Sequence, residues 1–183
     1  MDLRFDLALK AICSEVSGKR FRWLIIGSTS LSLQGVKLNG EGVVPNDIDV
    51  LTDERTAYNM GKIFERYSLR SPSIVYCAGP DSEKPIFRSH FGQFEIGGVK
   101  VEIMGELEKR VNEKFVGKYG EWWRHSRRLD KPKLIRYRGM ILPVSPLEDH
   151  LLAYRISCRQ KDIRRYQPLK SYCEAVKPDL SSP

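Results

Sequence analysis

The chain has 183 residues, of which 41% are hydrophobic and 30% are charged, and its formal net charge is +8. These values are ordinary for a soluble globular protein, and the length suits one domain with its own core and at most a small appendage. The excess of basic residues favours polyanionic partners such as nucleotides, RNA or an acidic protein, although an ordinary basic surface would explain it equally well.

The cysteines and the apolar runs argue against several classes of protein. The four cysteines are widely scattered and form no Cys-x-x-Cys pair, so a zinc site is not expected. Asp2, Arg4 and Asp6 interrupt the apolar residues at the start, so we expect no signal peptide. No apolar run approaches the roughly 20 residues of a membrane span. We therefore predict a cytoplasmic protein with free thiols and no membrane contact.

A short buried strand followed by a turn lies near the beginning of the chain. Apolar residues at helical spacing predict a helix over about 3–16, which Gly18 would end. The run 23–26 is apolar and stops at Gly27-Ser28, after which leucines predict a short helix. Backbone N–H groups at a helix start can hold a phosphate. Gly27 and Ser28 are therefore predicted to cradle a phosphate group.

An acidic strand follows the glycine-rich loop at residues 35–46. Asp47 and Asp49 alternate with Ile48 and Val50, which is the period-two pattern of a strand. Two carboxylates on one strand face repel each other, and they become tolerable when a divalent cation lies between them. Asp47 and Asp49 are therefore predicted metal ligands, with the loop at the edge of their site.

A hairpin supplies a third carboxylate. Before it, a helix capped by Thr52 or Asp53 is predicted over about 54–67, then a strand at 74–77 and a turn at 79–81. The Gly97-Gly98 step between β-prone runs predicts a hairpin of residues 86–96 and 99–104. In its second arm, Glu102 shares a face with Lys100 and Met104. If this strand pairs with the acidic strand, Glu102 points toward the same space as the two aspartates.

The stretch 118–138 is basic and aromatic. Its eight basic residues are opposed by only Glu121 and Asp130, and two tyrosines and two tryptophans are interleaved with them. Basic groups neutralise phosphates and aromatic faces stack on bases, so the stretch could contact RNA. Alternatively, the aromatic side chains pack onto the core while the charges face water.

The last part of the chain is predicted to be mainly helical. A second hairpin spans 134–144, and Ser145 is the expected cap of a helix that runs to about residue 158. Asp162 can cap a further helical piece, which Pro168 is expected to break or restart. The tail at 177–183 is predicted to be frayed. We expect the chain's three histidines to lie at the surface. Together the elements predict an α+β fold with a mixed sheet flanked by helices and a C-terminal helical segment.

At Gly27-Ser28, Asp47-x-Asp49 and Glu102 the chain resembles the nucleotidyltransferase superfamily with a DNA-polymerase-beta-like fold. It is most similar there to small prokaryotic members, the minimal and abortive-infection types. The resemblance covers residues 20–105, and Arg159-x-Lys161-Asp162 is similar to a basic step in the C-terminal region of such proteins. Glu102 departs from the more usual aspartate. The resemblance implies a catalytic core over 1–145 and a C-terminal helical extension over 146–183, packed on it as one globular unit.

The resemblance also implies a chemistry. Two Mg²⁺ or Mn²⁺ ions would be held by Asp47, Asp49 and Glu102, which are then the catalytic and metal-binding residues. Gly27, Ser28 and Lys161 would bind a nucleoside triphosphate, with ATP as the default. The reaction would transfer a nucleotidyl group, AMP in the default case, to an acceptor hydroxyl, with loss of pyrophosphate.

Two questions stay open at this point. The acceptor could be an antibiotic-like small molecule, an RNA end or a protein hydroxyl. A catalytically weak nucleotidyltransferase fold that works as an RNA- or partner-binding module is the alternative, because a fold does not fix a function. The presence of all three acids favours the enzyme.

Overall fold

The computed structural model describes residues 2–78 and 84–176. The helices in these ranges are Leu3–Val16 (α1), Gly27–Leu33 (α2), Glu54–Ile63 (α3), Val116–Tyr119 (α4), Leu147–Ile156 (α5) and Gln160–Val176 (α6). The strands are Trp23–Ile26 (β1), Lys37–Leu38 (β2), Glu41–Gly42 (β3), Asp47–Thr52 (β4), Ser68–Ala78 (β5), Pro85–Ile96 (β6), Val99–Arg110 (β7), Trp122–Arg124 (β8), Lys133–Tyr137 (β9) and Met140–Val144 (β10). Short 3-10 turns lie at Glu65–Tyr67, Glu113–Phe115 and His125–Asp130.

A mixed sheet of eight strands forms the centre of the fold. Its order is β5-β6-β7-β4-β1-β10-β9, and β8 pairs with the end of β7. The pairs β4–β7 and β1–β10 are parallel, whereas β1–β4 and the hairpin pairs are antiparallel. β2 and β3 form a separate two-stranded ribbon in the loop between α2 and β4. This arrangement confirms the predicted mixed sheet flanked by helices.

The two faces of the sheet have different roles. On one face, the apolar residues of β4 and β7, such as Ile48, Val101 and Ile103, pack with α1 and α3 in the main hydrophobic cluster. Phe64 and Phe94 are fully buried there with their rings 5.9 Å apart. Because side chains alternate along a strand, the polar residues of β4 and β7 lie on the opposite face. We call this opposite face the open face: a second apolar cluster with Leu51 and Leu129 covers part of it, and a cleft occupies another part.

Most predicted elements are present, with longer strands than the sequence pattern indicated. β5 begins at Ser68 and β7 continues to Arg110, both beyond the predicted ends. Asp53 caps α3 by accepting a hydrogen bond from the backbone N–H of Thr56 at 2.7 Å. The predicted turn at 79–81 and the predicted frayed tail at 177–183 lie outside the described residues.

Two predictions about the C-terminal helices were wrong. Ser145 does not cap α5: the helix begins after Pro146, and no side chain caps it. Ser145 is instead fully buried, and its N–H donates to the carbonyl of Ile25 at 2.9 Å, in continuation of the β1–β10 pairing. Pro168 does not break α6, which continues through it to Val176. Leu169, directly after the proline, is fully buried in an apolar cluster with α5 and α2, so tertiary packing holds this turn in place although the proline cannot donate its hydrogen bond.

Helices α5 and α6 pack beside the start of the sheet. Tyr154 and Leu169 share a buried cluster with Leu31 of α2 and Val36 after it. The division of the chain at residues 145 and 146 stays a prediction. In the described ranges, no helix combines the length and the apolar character needed to cross a bilayer.

Candidate active site

Three carboxylates meet on the open face of the sheet. β4 and β7 are parallel neighbours, and their register places Asp49 directly beside Glu102 and Asp47 beside Lys100. One oxygen from each of Asp47, Asp49 and Glu102 lies within 4.8 Å of the others, and all three residues are half-buried. The structure therefore brings together the three acids that the sequence suggested. Oxygen ligands at this spacing suit a hard divalent cation such as Mg²⁺ or Mn²⁺.

Gly27 is adjacent to this cluster for a steric reason. It follows Ile26, which pairs with Asp49 across β1 and β4, and it adopts a φ of +66°. A Cβ built on Gly27 would lie 2.2 Å from Oδ2 of Asp49. Only glycine both adopts this backbone conformation and leaves room for the carboxylate. Gly27 and the buried Ser28 line the same cleft as the three acids.

The acids repel each other. Burial, together with the negative charges of Asp47 and Glu102, raises the pKa of Asp49 to about 7. Lys100 provides part of the compensation: its Nζ lies 2.9 Å from Oε1 of Glu102 and 3.6 Å from Oδ2 of Asp47. The hydrogen bond to Glu102 raises the pKa of Lys100. The charge of Lys109 also lowers the pKa of Asp49, but burial and the two neighbouring acids outweigh both lysines. A divalent cation between the carboxylates would relieve this repulsion.

The hydroxyls of α2 support the acidic strand. Thr29 donates to the backbone carbonyl of Asp47 at 2.5 Å, which fixes the start of β4. Ser30 donates to the carbonyl of Ser145 at 3.2 Å, and its Oγ lies 3.1 Å from Nε2 of His150. Both hydroxyl residues are fully buried. The segment after Gly27 therefore fixes the backbone of Asp47 through Thr29, and it joins α2 to the start of α5 through Ser30.

Two of the histidines are inside the protein, contrary to the prediction. His125 and His150 are 2% and 3% exposed and line the cleft. The third, His90, is half-buried on β6 and contacts the hydroxyl of Tyr58 at 3.2 Å. The sequence did hold a signal for His150, because Ala153 and Tyr154 follow it at the spacing of a buried helix face.

The start of α6 brings cationic side chains to the cleft. Lys161 is exposed but lines the cleft together with Arg159 and Arg165. Burial and the neighbouring charges of Arg165 and Arg159 lower the pKa of Lys161. The structure thus places Lys161 on the same cleft as the acids. Arg159 and Arg165 were not among the predicted site residues.

Lys109 lines the cleft, although the alternation of side chains along β7 predicts that it lies on the other face. A regular strand would place residue 109 on the face opposite Glu102. However, Glu106 adopts a φ of +49°, and the β6–β7 register shifts between Arg88 and His90. This bulge turns Leu107 and Lys109 into the cleft, and bulges commonly re-aim side chains in this way beside active sites.

Lys109 forms a buried ion pair with the start of α6. Its Nζ lies 3.3 Å from Oδ2 of Asp162, which also accepts a hydrogen bond from Ser157 at 2.8 Å. Burial alone would raise the pKa of Asp162, but Lys109 and the Ser157 hydroxyl outweigh burial and lower it. The ion pair connects β7 to α6 across the cleft.

Side chains of the basic-aromatic stretch 118–138 pair with other residues of the same chain. Arg124 lies 3.1 Å from Glu108, and the Trp122 ring lies under the guanidinium of Arg88 at 4.9 Å. Arg138 pairs with Asp6 at 2.5 Å. The side chains of residues 126–128 lie outside the described residues. These contacts give no support to the predicted RNA contact.

The fold and the three acids on it define a class of protein. A protein from Thermotoga maritima assigned to the nucleotidyltransferases superposes with a TM-score of 0.65 and 27% identity, over 93% of each chain. Together with the resemblance at Gly27-Ser28 and the acids, this places the chain in the nucleotidyltransferase superfamily. The model of the aminoglycoside-2″-adenylyltransferase family matches residues 8–167, so the chain belongs to that family. It is thus an enzyme of the nucleotidyl-transfer class.

Two further solved structures match more weakly. ANT(2″)-Ia in complex with adenylyl-2″-tobramycin matches with a TM-score of 0.46 and 11% identity, over 94% of this chain and 90% of that one. The solution structure of the antibiotic-resistance factor ANT(2″)-Ia matches with a TM-score of 0.48 and 12% identity, over 97% and 86%. Among curated proteins, none matches the chain.

Proposed function

We propose that the protein transfers AMP from ATP to a hydroxyl group of a small-molecule acceptor, with Mg²⁺ or Mn²⁺ held by Asp47, Asp49 and Glu102. The observation that carries this proposal is the convergence of these carboxylates on β4 and β7, beside a glycine that makes room for one of them. The family match supports adenylyl transfer as the reaction.

The chain's own residues suggest how the reaction is organised. A divalent cation, when bound, would lower the pKa of the acceptor hydroxyl and neutralise charge developing on the α-phosphate. Gly27 and Ser28 would border the phosphates, and Lys161 would contribute positive charge. Glu102 is the candidate that accepts the hydroxyl proton. The new bond joins the acceptor oxygen to the α-phosphorus, the bond to the β-phosphate breaks, and pyrophosphate leaves.

Most of the rate enhancement would come from positioning. Phosphoryl chemistry needs charge stabilisation and alignment more than covalent help from the protein. The parallel pairing of β4 and β7 fixes Asp49 beside Glu102, and Thr29 anchors the backbone of Asp47. These contacts would hold the acids in place before the substrates bind.

Metal binding and label transfer test the proposal together. Calorimetry should detect Mn²⁺ binding to the purified chain, and binding should be lost in Asp49→Asn but kept in Glu95→Gln, which removes an exposed carboxylate on β6. ATP labelled at the α-phosphate should then pass its label, in the presence of Mg²⁺, to compounds in a small-molecule cell extract. Metal binding without any label transfer would favour the binding-module alternative.

A further inference from the structure

An apolar wall continues from the acids along the open face of β6 and β7. Directly beside Glu102, the Gln93 side chain donates to Oε1 of the glutamate at 3.1 Å. The next pair on this face is Phe91 with Met104. Beyond the bulge follow Leu107 and Phe87, and all four apolar residues line the cleft. Phe87 and Phe91 are half-buried and offer the accessible surface, whereas Met104 and Leu107 are 7% and 2% exposed and pack behind them. We refer to Phe87, Phe91, Met104 and Leu107 as the apolar wall.

The strand order separates the wall from the glycine turn. Across the sheet the order is β6-β7-β4-β1, so the acids lie between the wall on β6 and β7 and Gly27-Ser28 after β1. In nucleotidyl transfer the attacking and leaving oxygens are roughly in line on opposite sides of the phosphorus. If the leaving phosphates lie at Gly27-Ser28, the acceptor approaches from the side of the wall.

The charges of the cleft restrict the acceptor further. Its carboxylates, among the described residues, are Asp47, Asp49, Glu102 and Asp162. The first three are the proposed metal ligands, and Asp162 is engaged by Lys109 and Ser157. The remaining charged groups of the described lining are cationic. An ammonium group brought to this cleft would find no carboxylate left to pair with it, and an unpaired charge is costly to desolvate.

From this arrangement we propose that the acceptor is an uncharged or anionic alcohol whose apolar or aromatic portion packs against the wall of Phe87, Phe91, Met104 and Leu107. The inference rests on the proposed function, because it assigns an acceptor to the same site. It distinguishes this chain from an enzyme for a polycationic sugar, which would need additional carboxylates at the acceptor side of the cleft.

Esters of AMP test the acceptor side without knowledge of the natural acceptor. Three matched probes carry a benzyl, a 4-carboxybenzyl or a 4-(aminomethyl)benzyl group on the phosphate, and AMP itself is the reference. Their affinities are measured by displacement of a fluorescent ATP analogue in the presence of Mg²⁺. The benzyl and carboxybenzyl esters should bind about ten-fold more tightly than AMP, since a phenyl ring is then buried. The aminomethyl ester should bind at least about ten-fold more weakly than the benzyl ester.

Variants test whether the tighter binding of benzyl-AMP depends on the apolar wall. Phe91→Ala should reduce the advantage of benzyl-AMP over AMP to about three-fold or less. Phe87→Ala serves the same purpose if Phe91→Ala does not fold. Leu134→Ala, which removes an exposed apolar side chain on the distant strand β9, is the matched control and should keep the full advantage.

Three results would contradict the inference. The first is that the aminomethyl ester binds most tightly of the three. The second is that no ester binds more tightly than AMP. Alternatively, Phe91→Ala could weaken AMP and benzyl-AMP by the same factor, which would place the adenine ring at the wall instead of the acceptor. If the ATP analogue itself shows no Mg²⁺-dependent binding, the proposed function fails and the inference fails with it.

Discussion

The two faces of strand β7 both carry carboxylates, and the protein treats them in opposite ways. On the open face, Glu102 joins Asp47 and Asp49, with Lys100 as the nearby cation. On the other side of the bulge, Glu108 accepts hydrogen bonds from Arg88 and Arg124, the latter at 3.1 Å. Two guanidinium groups contact Glu108, whereas Lys100 is the cation at ion-pair distance from Glu102 and Asp47.

The pKa values show the same contrast. Burial alone would raise the pKa of Glu108, but the hydrogen bonds from Arg88 and Arg124 lower it. Burial and the neighbouring acids raise the pKa of Asp49 to about 7. Hydrogen bonds from guanidinium groups favour the charged form of a buried carboxylate, whereas neighbouring acids disfavour it, and a group of the second kind in a cleft is a candidate ligand site. The position of the cations, more than the number of acids, therefore separates a structural cluster from a binding site.

The largest expected effect is on catalysis. The double change Asp47→Asn with Asp49→Asn should lower nucleotidyl transfer by at least about a thousand-fold, because neutral amides are poor ligands for a divalent cation beside a triphosphate. Pyrophosphate release measures the change. Glu95→Gln is the control and should retain activity. Full activity in the double variant would show that Asp47 and Asp49 are not needed for the reaction.

The next effect separates steric fit from backbone strain. Gly27→Ala should weaken Mn²⁺ binding about 10- to 100-fold, because the new Cβ would collide with Oδ2 of Asp49. Gly35→Ala is a matched control: Gly35 has a similar φ of +70°, but a Cβ there meets no atom within 4 Å. Calorimetric titration with Mn²⁺ compares the two variants. Equal losses in both would show that strain, not the contact with Asp49, is responsible.

A smaller effect is expected at the compensated cluster. Glu108→Ala should lower the free energy of unfolding by about 1–3 kcal/mol, because Arg88 and Arg124 lose their shared partner while remaining partly solvated. Urea denaturation measures this, and Mn²⁺ affinity should stay at the wild-type value. A loss of metal affinity without a loss of stability would contradict the assignment of Glu108 to a structural role.

The smallest effect concerns pH. Because folding raises the pKa of Asp49, its ionised form disfavours the folded state. The cost is absent below the unfolded pKa near 4, and it is complete above the folded pKa of about 7. In the presence of a chelator, Asp49→Asn should therefore be more stable than the wild type by about 1 kcal/mol at pH 8, with the difference shrinking toward pH 4. Thermal denaturation across this pH range tests the sign. A difference that grows as the pH falls would show that the pKa of Asp49 is lowered instead.

The sequence alone determined the parts of the site that depend on local pattern. Period-two alternation placed Asp47 and Asp49 on one face of a strand, and it placed Glu102 on one face of another. The Gly97-Gly98 step predicted the hairpin between β6 and β7, and an apolar run ending at Gly27 predicted β1 and its turn. These signals are local because strand alternation and glycine turns follow from backbone geometry over a few residues.

Long-range packing determines which strands are neighbours and which other side chains enter the cleft. The parallel pairing of β4 with β7 joins residues more than 50 positions apart, and nothing in either segment specifies the other. The bulge at Glu106 reverses the faces that a regular strand predicts, which turned Lys109 toward the site. His150 and Arg165 reach the cleft through the packing of α5 and α6. The burial of a carboxylate and the charges around it depend on such long-range contacts. Residue spacing therefore could not show that arginines lower the pKa of Glu108 or that neighbouring acids raise the pKa of Asp49.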